Sequence, residues 1–298
     1  MAVGFALSLL CRHITQGAAM GEPRIMESQT ERDAPVAIVT GAARGIGAAT
    51  AVRLARRGYT VALIDIPAES PGRIAPIPGP YVAASSSDLD LAAAACGGRG
   101  HAWTADVRDD IALSAVVTSV LERFGRIDTV IAAAGAVAGG VPLWETTNDV
   151  WRSMIEINLT GVFNIARATI PAMLASPEPR NGRFIAVASA AAHHGLPQLG
   201  AYSAAKHGVA GLVKALAAEL GSSGISANAV APGSTDTAML QGSAAIYGLS
   251  DPGAFADQAR IGRLIDPDEI AATIEWLCSD APAALTGSVI DVDGGFRP

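Results

Sequence analysis

The 298 residues are half apolar, enough to bury a sizeable core, so the chain reads as globular. Twenty-one basic against twenty-eight acidic residues leave a net charge of −7, with no electrostatic footprint for a nucleic acid or an anionic membrane. Cys11, Cys96 and Cys278 form no C-x-x-C pair and the five histidines show no ligand spacing, so neither a disulfide framework nor a metal is expected and a reducing, cytoplasmic setting suits the composition.

Residues 1–33 read differently from the rest. Val3 to Leu10 is apolar but lacks preceding basic residues and is too short to span a bilayer; the polar run GEPRIMESQTERD follows it. A disordered leader is expected here, with Met20 and Met26 as alternative starts. Order begins at Pro35. The run VAIVT, Val36 to Thr40, reads as a strand buried on both faces, followed by a glycine-rich turn and a helix closed by Gly58. Glycines at 41, 45 and 47 let a pyrophosphate approach the helix N-terminus, where free N–H groups and the macrodipole favour negative charge. The second strand, TVALIDI, carries Asp65 twenty residues beyond Gly45, where a carboxylate can accept hydrogen bonds from an adenosine ribose.

Pro67 to Gly100 is an unusual passage: five prolines fall within Pro67 to Pro80, predicting a stiff surface loop, and SSSDLDLAAAACGG predicts a capped helix. Strand and helix then alternate. HAWTADV, IDTVIAAAG, GRFIAVAS and ISANAVAP are strands; helices cover ALSAVVTSVLERFG and about Asn148 to Leu174. This pattern gives a parallel sheet covered on both faces, with ligands at the carboxyl ends of the strands. Gly41, Asp65, Gly135, Ser189 and Pro232 all follow or end strands.

Tyr202 to Leu220 has the spacing of an amphipathic helix, with Tyr202 and Lys206 one above the other on its first turn. A neighbouring ammonium favours the phenolate and brings the phenol toward a range useful for proton exchange, although helices also place such pairs together by geometry alone. Between Gly233 and Arg263 lie Met239, Leu240, Ile246, Tyr247, Leu249 and Phe255 among glycines, predicting a substrate lid over 233–263; a plain packed helix pair is the alternative. His193, His194 and Gln198 are candidate polar contacts near this pocket or ordinary surface residues.

The G-x-x-x-G-x-G turn, Ser189 thirteen residues before Tyr202, and Tyr202-x-x-x-Lys206 together resemble the short-chain dehydrogenase/reductase family from Pro35 to Phe296. Asp106-Val107, Ala132 to Gly135, Asn158 in INLTGVF, Pro232-Gly233 and the VDGG at Val292 to Gly295 add to the match. The resemblance implies an α/β, single-domain Rossmann fold over 34–298, a doubly wound parallel sheet of about seven strands with helices on both faces. It implies Tyr202 as general acid or base, Lys206 tuning it and holding the nicotinamide ribose, Ser189 bonding the substrate oxygen, and Asn158 anchoring a proton-relay water, with a local helix irregularity as the other reading of Asn158.

Gly41, Arg44, Gly45, Ile46, Gly47, Asp65, Ala134, Gly135, Pro232 and Gly233 would hold the dinucleotide. Asp106 and Val107 would flank the adenine, with a helix cap as the other reading of Asp106, and Thr237 would contact the carboxamide. The family's usual Asn-Asn-Ala-Gly is here Ala132-Ala133-Ala134-Gly135, which predicts looser bracing of that turn. Asp65 predicts NAD over NADP by repulsion of a 2′-phosphate, with Arg44 pulling the other way.

The insertion over 67–99 is similar to that of a subgroup of carveol dehydrogenases and mycofactocin-associated enzymes, whose NAD is held tightly. The expected activity is NAD-dependent interconversion of an apolar secondary alcohol and a ketone; the alternatives are an NADPH-dependent biosynthetic ketoreductase and a nucleotide-binding scaffold without turnover. Small residues Ala204, Ala205, Gly208 and Gly211 predict a homo-oligomer, a dimer or tetramer, packed through this helix.

Overall fold

The computed structural model describes residues 34–70, 77–178 and 180–298. The expected leader, 1–33, and residues 71–76 of the insertion lie outside the described residues. Seven strands form one parallel sheet in the order β3-β2-β1-β4-β5-β6-β7: β1 Val36–Thr40, β2 Thr60–Asp65, β3 Gly100–Thr104, β4 Thr129–Ala132, β5 Gly182–Val187, β6 Ile225–Pro232 and β7 Val289–Val292. Among the described residues there are eight α-helices: α1 Gly45–Arg56, α2 Ser86–Ala95, α3 Asp110–Phe124, α4 Asn148–Ile155, α5 Gly161–Ala175, α6 Gly200–Leu220, α7 Ala238–Ile246 and α8 Pro267–Ser279.

Both faces of the sheet are covered, and the strand sequences show why. In β1, Val36 and Ile38 join the core beneath α3, α5 and α6, whereas Ala37 and Val39 join a second core with Leu54 of α1, Leu89 of α2 and Ile270 of α8. Successive side chains point to opposite faces, so an unbroken β-branched run is what a strand buried twice requires. This is the doubly wound Rossmann architecture expected from the alternation. No helix among the described residues is long and apolar enough to cross a membrane.

The chain reverses its direction of winding between β1 and β4, and the turns following those strands are pressed together. Gly41 has φ +66°, and a Cβ built there would lie 2.6 Å from the Ala134 Cα, so backbone meets backbone with no room for a side chain. α1 begins at Gly45, earlier than the expected start near Ala48, which places Gly45 and Gly47 in its first turn. A Cβ on Gly47 would run into the Gly41 carbonyl oxygen.

The single long helix expected over 148–174 is two helices, α4 and α5, joined by a π turn at Glu156–Thr160. Asn158 sits in that turn, and Leu159 packs against the bare Gly208 of α6. Gly208 is therefore small for an internal contact, and Ala205 faces the chain's own core, so of the four small residues only Ala204 and Gly211 lie on the exposed side of α6. Gly47→Ala is expected to destabilise the protein by roughly 2 kcal/mol or more, because the methyl group overpacks a rigid backbone turn; urea denaturation of the two proteins measures it.

Candidate active site

A cleft opens along the carboxyl ends of the strands, from the turn after β1 to the lid segment. Its dinucleotide half is built from Gly41, Gly45 and Gly47 at one edge, Asp65 at the end of β2, Asp106 and Val107 after β3, and Ala134 and Gly135 after β4. Pro232, Gly233 and Thr237 close it from the β6 side, and Arg44 and Ile46 also line it. The α1 N-terminus carries no side-chain cap, whereas α2, α3, α4, α7 and α8 are each capped by a Ser, Asp or Thr. An uncapped N-terminus over a bare glycine cradle leaves donors and a positive dipole end for a phosphate. A Cβ on Gly45 would meet Thr237 Cγ2 at 3.2 Å, so the residue that caps α7 rests on the cradle. These features fit a dinucleotide.

Asp65 accepts hydrogen bonds from the backbone N–H groups of Ala43 and Ile66, each at 2.8 Å. Burial raises its pKa, against the pull of those two amides and of Arg44. Asp106 does not cap α3; Asp109 does, accepting from the N–H groups of Ile111 and Ala112. Asp106 instead pairs with Arg108 at 2.6 Å, both side chains buried and both lining the cleft. Arg108 was absent from the sequence reading. Val107 fills the space over Gly161, and its carbonyl accepts from Asn164 Nδ2 at 2.9 Å.

Ser189, Tyr202, Lys206 and Asn158 converge at the far end of the dinucleotide half. Ser189 follows β5; its hydroxyl accepts from the Ala191 N–H at 3.1 Å and stands close enough to the Tyr202 phenol to pull its pKa down. Lys206 stands one turn behind Tyr202, its Nζ 5.7 Å from the phenol ring centroid and donating to the Val187 carbonyl at 2.8 Å. Both side chains are buried. The lysine was expected to bring the phenol down toward neutrality. Here the net direction is upward, because desolvation outweighs the lowering effect of the Ser189 hydroxyl. Burial also lowers the Lys206 ammonium to about 8.

The expected loosening of the Ala132-Ala133-Ala134-Gly135 turn is not seen. The Ala134 N–H donates to Thr40 Oγ1 at 3.2 Å, and Asn158 brackets Ala136, accepting from its N–H at 3.2 Å and donating to its carbonyl at 3.0 Å. Asn158 Nδ2 also donates to the Met154 carbonyl, four residues back across the π turn. Side chains from β1 and the π turn thus supply the bracing.

Beyond Tyr202 the cleft is walled by Val137, Leu196, Leu199, Met239, Tyr247 and Phe255, and it is capped by Phe296. Within the lid, Leu240, Ala244 and Phe255 form a small core of their own, and the Tyr247 hydroxyl donates to the Pro197 carbonyl at 2.7 Å. Ile246 reaches Gly140, and Leu249 is exposed. His193, His194 and Gln198 lie outside the lining: His193 pairs with Asp291 at 3.1 Å, His194 stacks on Phe296, and Gln198 offers its backbone carbonyl to Gly140. Two further wall residues escaped the sequence reading. Phe296 follows the VDGG turn directly, an aromatic side chain at the end of a glycine pair, and Tyr81 belongs to the insertion, whose return limb 77–84 turns Ile77, Tyr81, Ala83 and Ala84 onto the cleft while Gly79, Pro80 and Val82 stay exposed.

A family model described as enoyl-(acyl carrier protein) reductase matches residues 41–297. An uncharacterised NAD-dependent oxidoreductase of Mycobacterium tuberculosis is 37% identical over 268 residues, covering 87% of this chain and 94% of the relative. The chain belongs to the short-chain dehydrogenase/reductase family. Among solved members, carveol dehydrogenase from Mycobacterium avium in complex with NAD superposes with TM-score 0.79 at 34% identity, over 89% of this chain and 98% of that one. A variant of actinorhodin polyketide ketoreductase with NADPH superposes with TM-score 0.75 at 31% identity, over 88% and 97%. This short-chain dehydrogenase/reductase is accordingly an oxidoreductase that uses a nicotinamide dinucleotide. Among the described residues no group of histidine, cysteine or acidic side chains is arranged to hold a metal ion.

The buried lysine makes a test of the site's electrostatics. Its folded-state value of about 8 lies below the 10.5 of an unperturbed lysine, so the folded state disfavours the ammonium. That cost, about 3 kcal/mol, is full below pH 8 and fades as the pH rises to about 10.5. Lys206→Met should therefore be more stable than the parent at pH 7, less about 1 kcal/mol for the lost hydrogen bond. Its advantage should shrink between pH 8 and 10.5 in urea titrations.

Proposed function

We propose that this enzyme interconverts an apolar secondary alcohol and a ketone, with NAD as its preferred cofactor and Tyr202 as the general acid or base. The observation that carries the reading is that Ser189, Tyr202 and Lys206 line one cleft whose far wall is apolar. The dinucleotide, when bound, supplies the hydride acceptor or donor. The chain's own residues manage the oxygen and its proton. Ser189 and Tyr202 hold the substrate oxygen from one side, and in the oxidative direction Tyr202 takes the hydroxyl proton as the carbonyl forms. In the reductive direction it returns that proton to the oxygen.

Lys206 supplies positive charge behind the phenol and keeps the Val187 carbonyl satisfied, while Asn158 locks the turn that carries Gly135. A Cβ on Gly135 would lie 3.0 Å from Asn158 Oδ1 and 3.7 Å from Lys206 Nζ, so only glycine leaves this floor open. Val137, Leu196 and Leu199, with Met239 and Phe255 from the lid, exclude water from the reacting oxygen. The carveol dehydrogenase neighbour supports an apolar alcohol as substrate.

Asp65 supports NAD: its carboxylate lies where the adenosine ribose is expected, and a 2′-phosphate there would be repelled. The reading as an NADPH-dependent ketoreductase is favoured by Arg44 on the same cleft wall and by the polyketide ketoreductase neighbour with NADPH. One folded unit over 34–298, with 233–263 as its lid, is part of the same proposal, as is a cytoplasmic setting. The outward positions Ala204 and Gly211 support a homo-oligomer, a dimer or tetramer.

Tyr202→Phe should abolish NAD-linked oxidation of a panel of apolar alcohols, followed by nicotinamide absorbance, while dinucleotide binding stays within about twofold of the parent. Retained turnover would remove Tyr202 from its role. Asp65→Ala should raise NADP use relative to NAD by about tenfold or more, on the order of the repulsion removed, in ratios of kcat/KM.

A further inference from the structure

Arg44 occupies the residue just before Gly45, at the uncapped start of α1, and lines the same cleft as Asp65. A guanidinium in that place is suited to a phosphate, because its planar fork can donate two parallel hydrogen bonds. The structure commits it elsewhere. Arg44 Nη2 donates to the backbone carbonyl of Val82, and its guanidinium carbon lies 5.7 Å from the ring centroid of Tyr81. Both partners belong to the return limb of the insertion.

That limb is itself held at several points. The Tyr81 hydroxyl donates to the Gly135 carbonyl at 3.4 Å, and the Tyr81 backbone lies beside Gly242 of α7, where an added Cβ would make ordinary contact at 3.6 Å. At its base the Ala68 N–H donates to the Ala84 carbonyl at 2.8 Å, and Ser85 opens α2 with a reciprocal cap to Asp88. Glu69 accepts from the Ser86 N–H at 2.6 Å. A limb held at Tyr81 and at its base does not follow Arg44 when the arginine turns, so an Arg44 that turned toward a phosphate would give up both contacts.

We infer that Tyr81 and Val82 form a clamp that withholds Arg44 from a 2′-phosphate and so act, together with Asp65, as determinants of cofactor choice. The inference rests on the proposed preference for NAD and adds a second, separable cause for it. Asp65 repels the phosphate; the clamp removes the side chain that would otherwise compensate. The insertion, which begins two residues after Asp65, thereby acts on the adenosine end of the cleft through Arg44.

The test is calorimetric binding of NADP and of NAD to the full chain, without turnover. Tyr81→Leu keeps apolar bulk beside Gly242 but removes the ring face that attracts the guanidinium. It should raise the NADP-to-NAD affinity ratio by roughly fivefold, the size of one cation–π contact. Tyr81→Phe keeps the ring and should leave the ratio at the parent's value. Adding Arg44→Ala to Tyr81→Leu should abolish the gain, which a double-mutant cycle reads as coupling between the two residues. An unchanged ratio in Tyr81→Leu, or a gain that survives the loss of Arg44, overturns the clamp. Asp65→Ala in the same assay separates the two causes: a ratio that fails to rise there removes the Asp65 reading, while coupling between Tyr81 and Arg44 still upholds the clamp.

Discussion

Gly41 lies against Ala134 so closely that no side chain fits between the turns after β1 and β4. That contact sits where the sheet reverses its direction of winding, and the geometry of the cleft follows from it. With the two turns in register, the N-terminus of α1 faces the cleft, Thr40 can reach the Ala134 amide, and Gly135 comes beneath Lys206. A bulkier residue at Gly41 would separate the phosphate-binding and proton-handling halves of the site together, since both rest on the same backbone approach.

Burial then shapes the chemistry of those halves. The Tyr202 phenol is pushed up and the Lys206 ammonium down by the same desolvation, so in the free chain each is biased toward its neutral form. A positive charge beside the phenol would oppose that bias, and Lys206 Nζ, which donates to the Val187 carbonyl, is the cation placed one turn away. At the adenosine end the Asp106–Arg108 pair is buried already matched, whereas burial pushes the Asp65 carboxyl up against the pull of two backbone amides.

The alternation of strands and helices, the glycine cradle and the Tyr202–Lys206 turn were legible because each is written in local spacing: period two against three and four, or glycine where only a bare backbone fits. What was not legible depends on contacts between distant segments. Within Asn148–Ala175 only Asn158 offers a local reason for an irregular helix, and the residue that rewards the π turn, Ala136, lies in another loop. Replacing two asparagines by Ala132 and Ala133 looked like a loss, yet Thr40 and Asn158 brace the turn from outside it. The insertion read as surface decoration since proline density shows stiffness without direction, and the return of Tyr81 over the cleft is a tertiary fact.

The π turn at Glu156–Thr160 has a consequence for how this part of the chain tolerates length changes. A π turn holds one residue more than an α-helical turn, so α5 is offset from the phase α4 would have imposed on it by about 100°. Deleting a single residue there would let the two helices merge into one regular rod, a locally comfortable outcome. The same deletion would swing the Asn158 amide away from Ala136 and lift Leu159 off Gly208. The irregular turn therefore fixes the length of this segment: a residue more or fewer is tolerated on either side of Glu156–Thr160 more readily than within it.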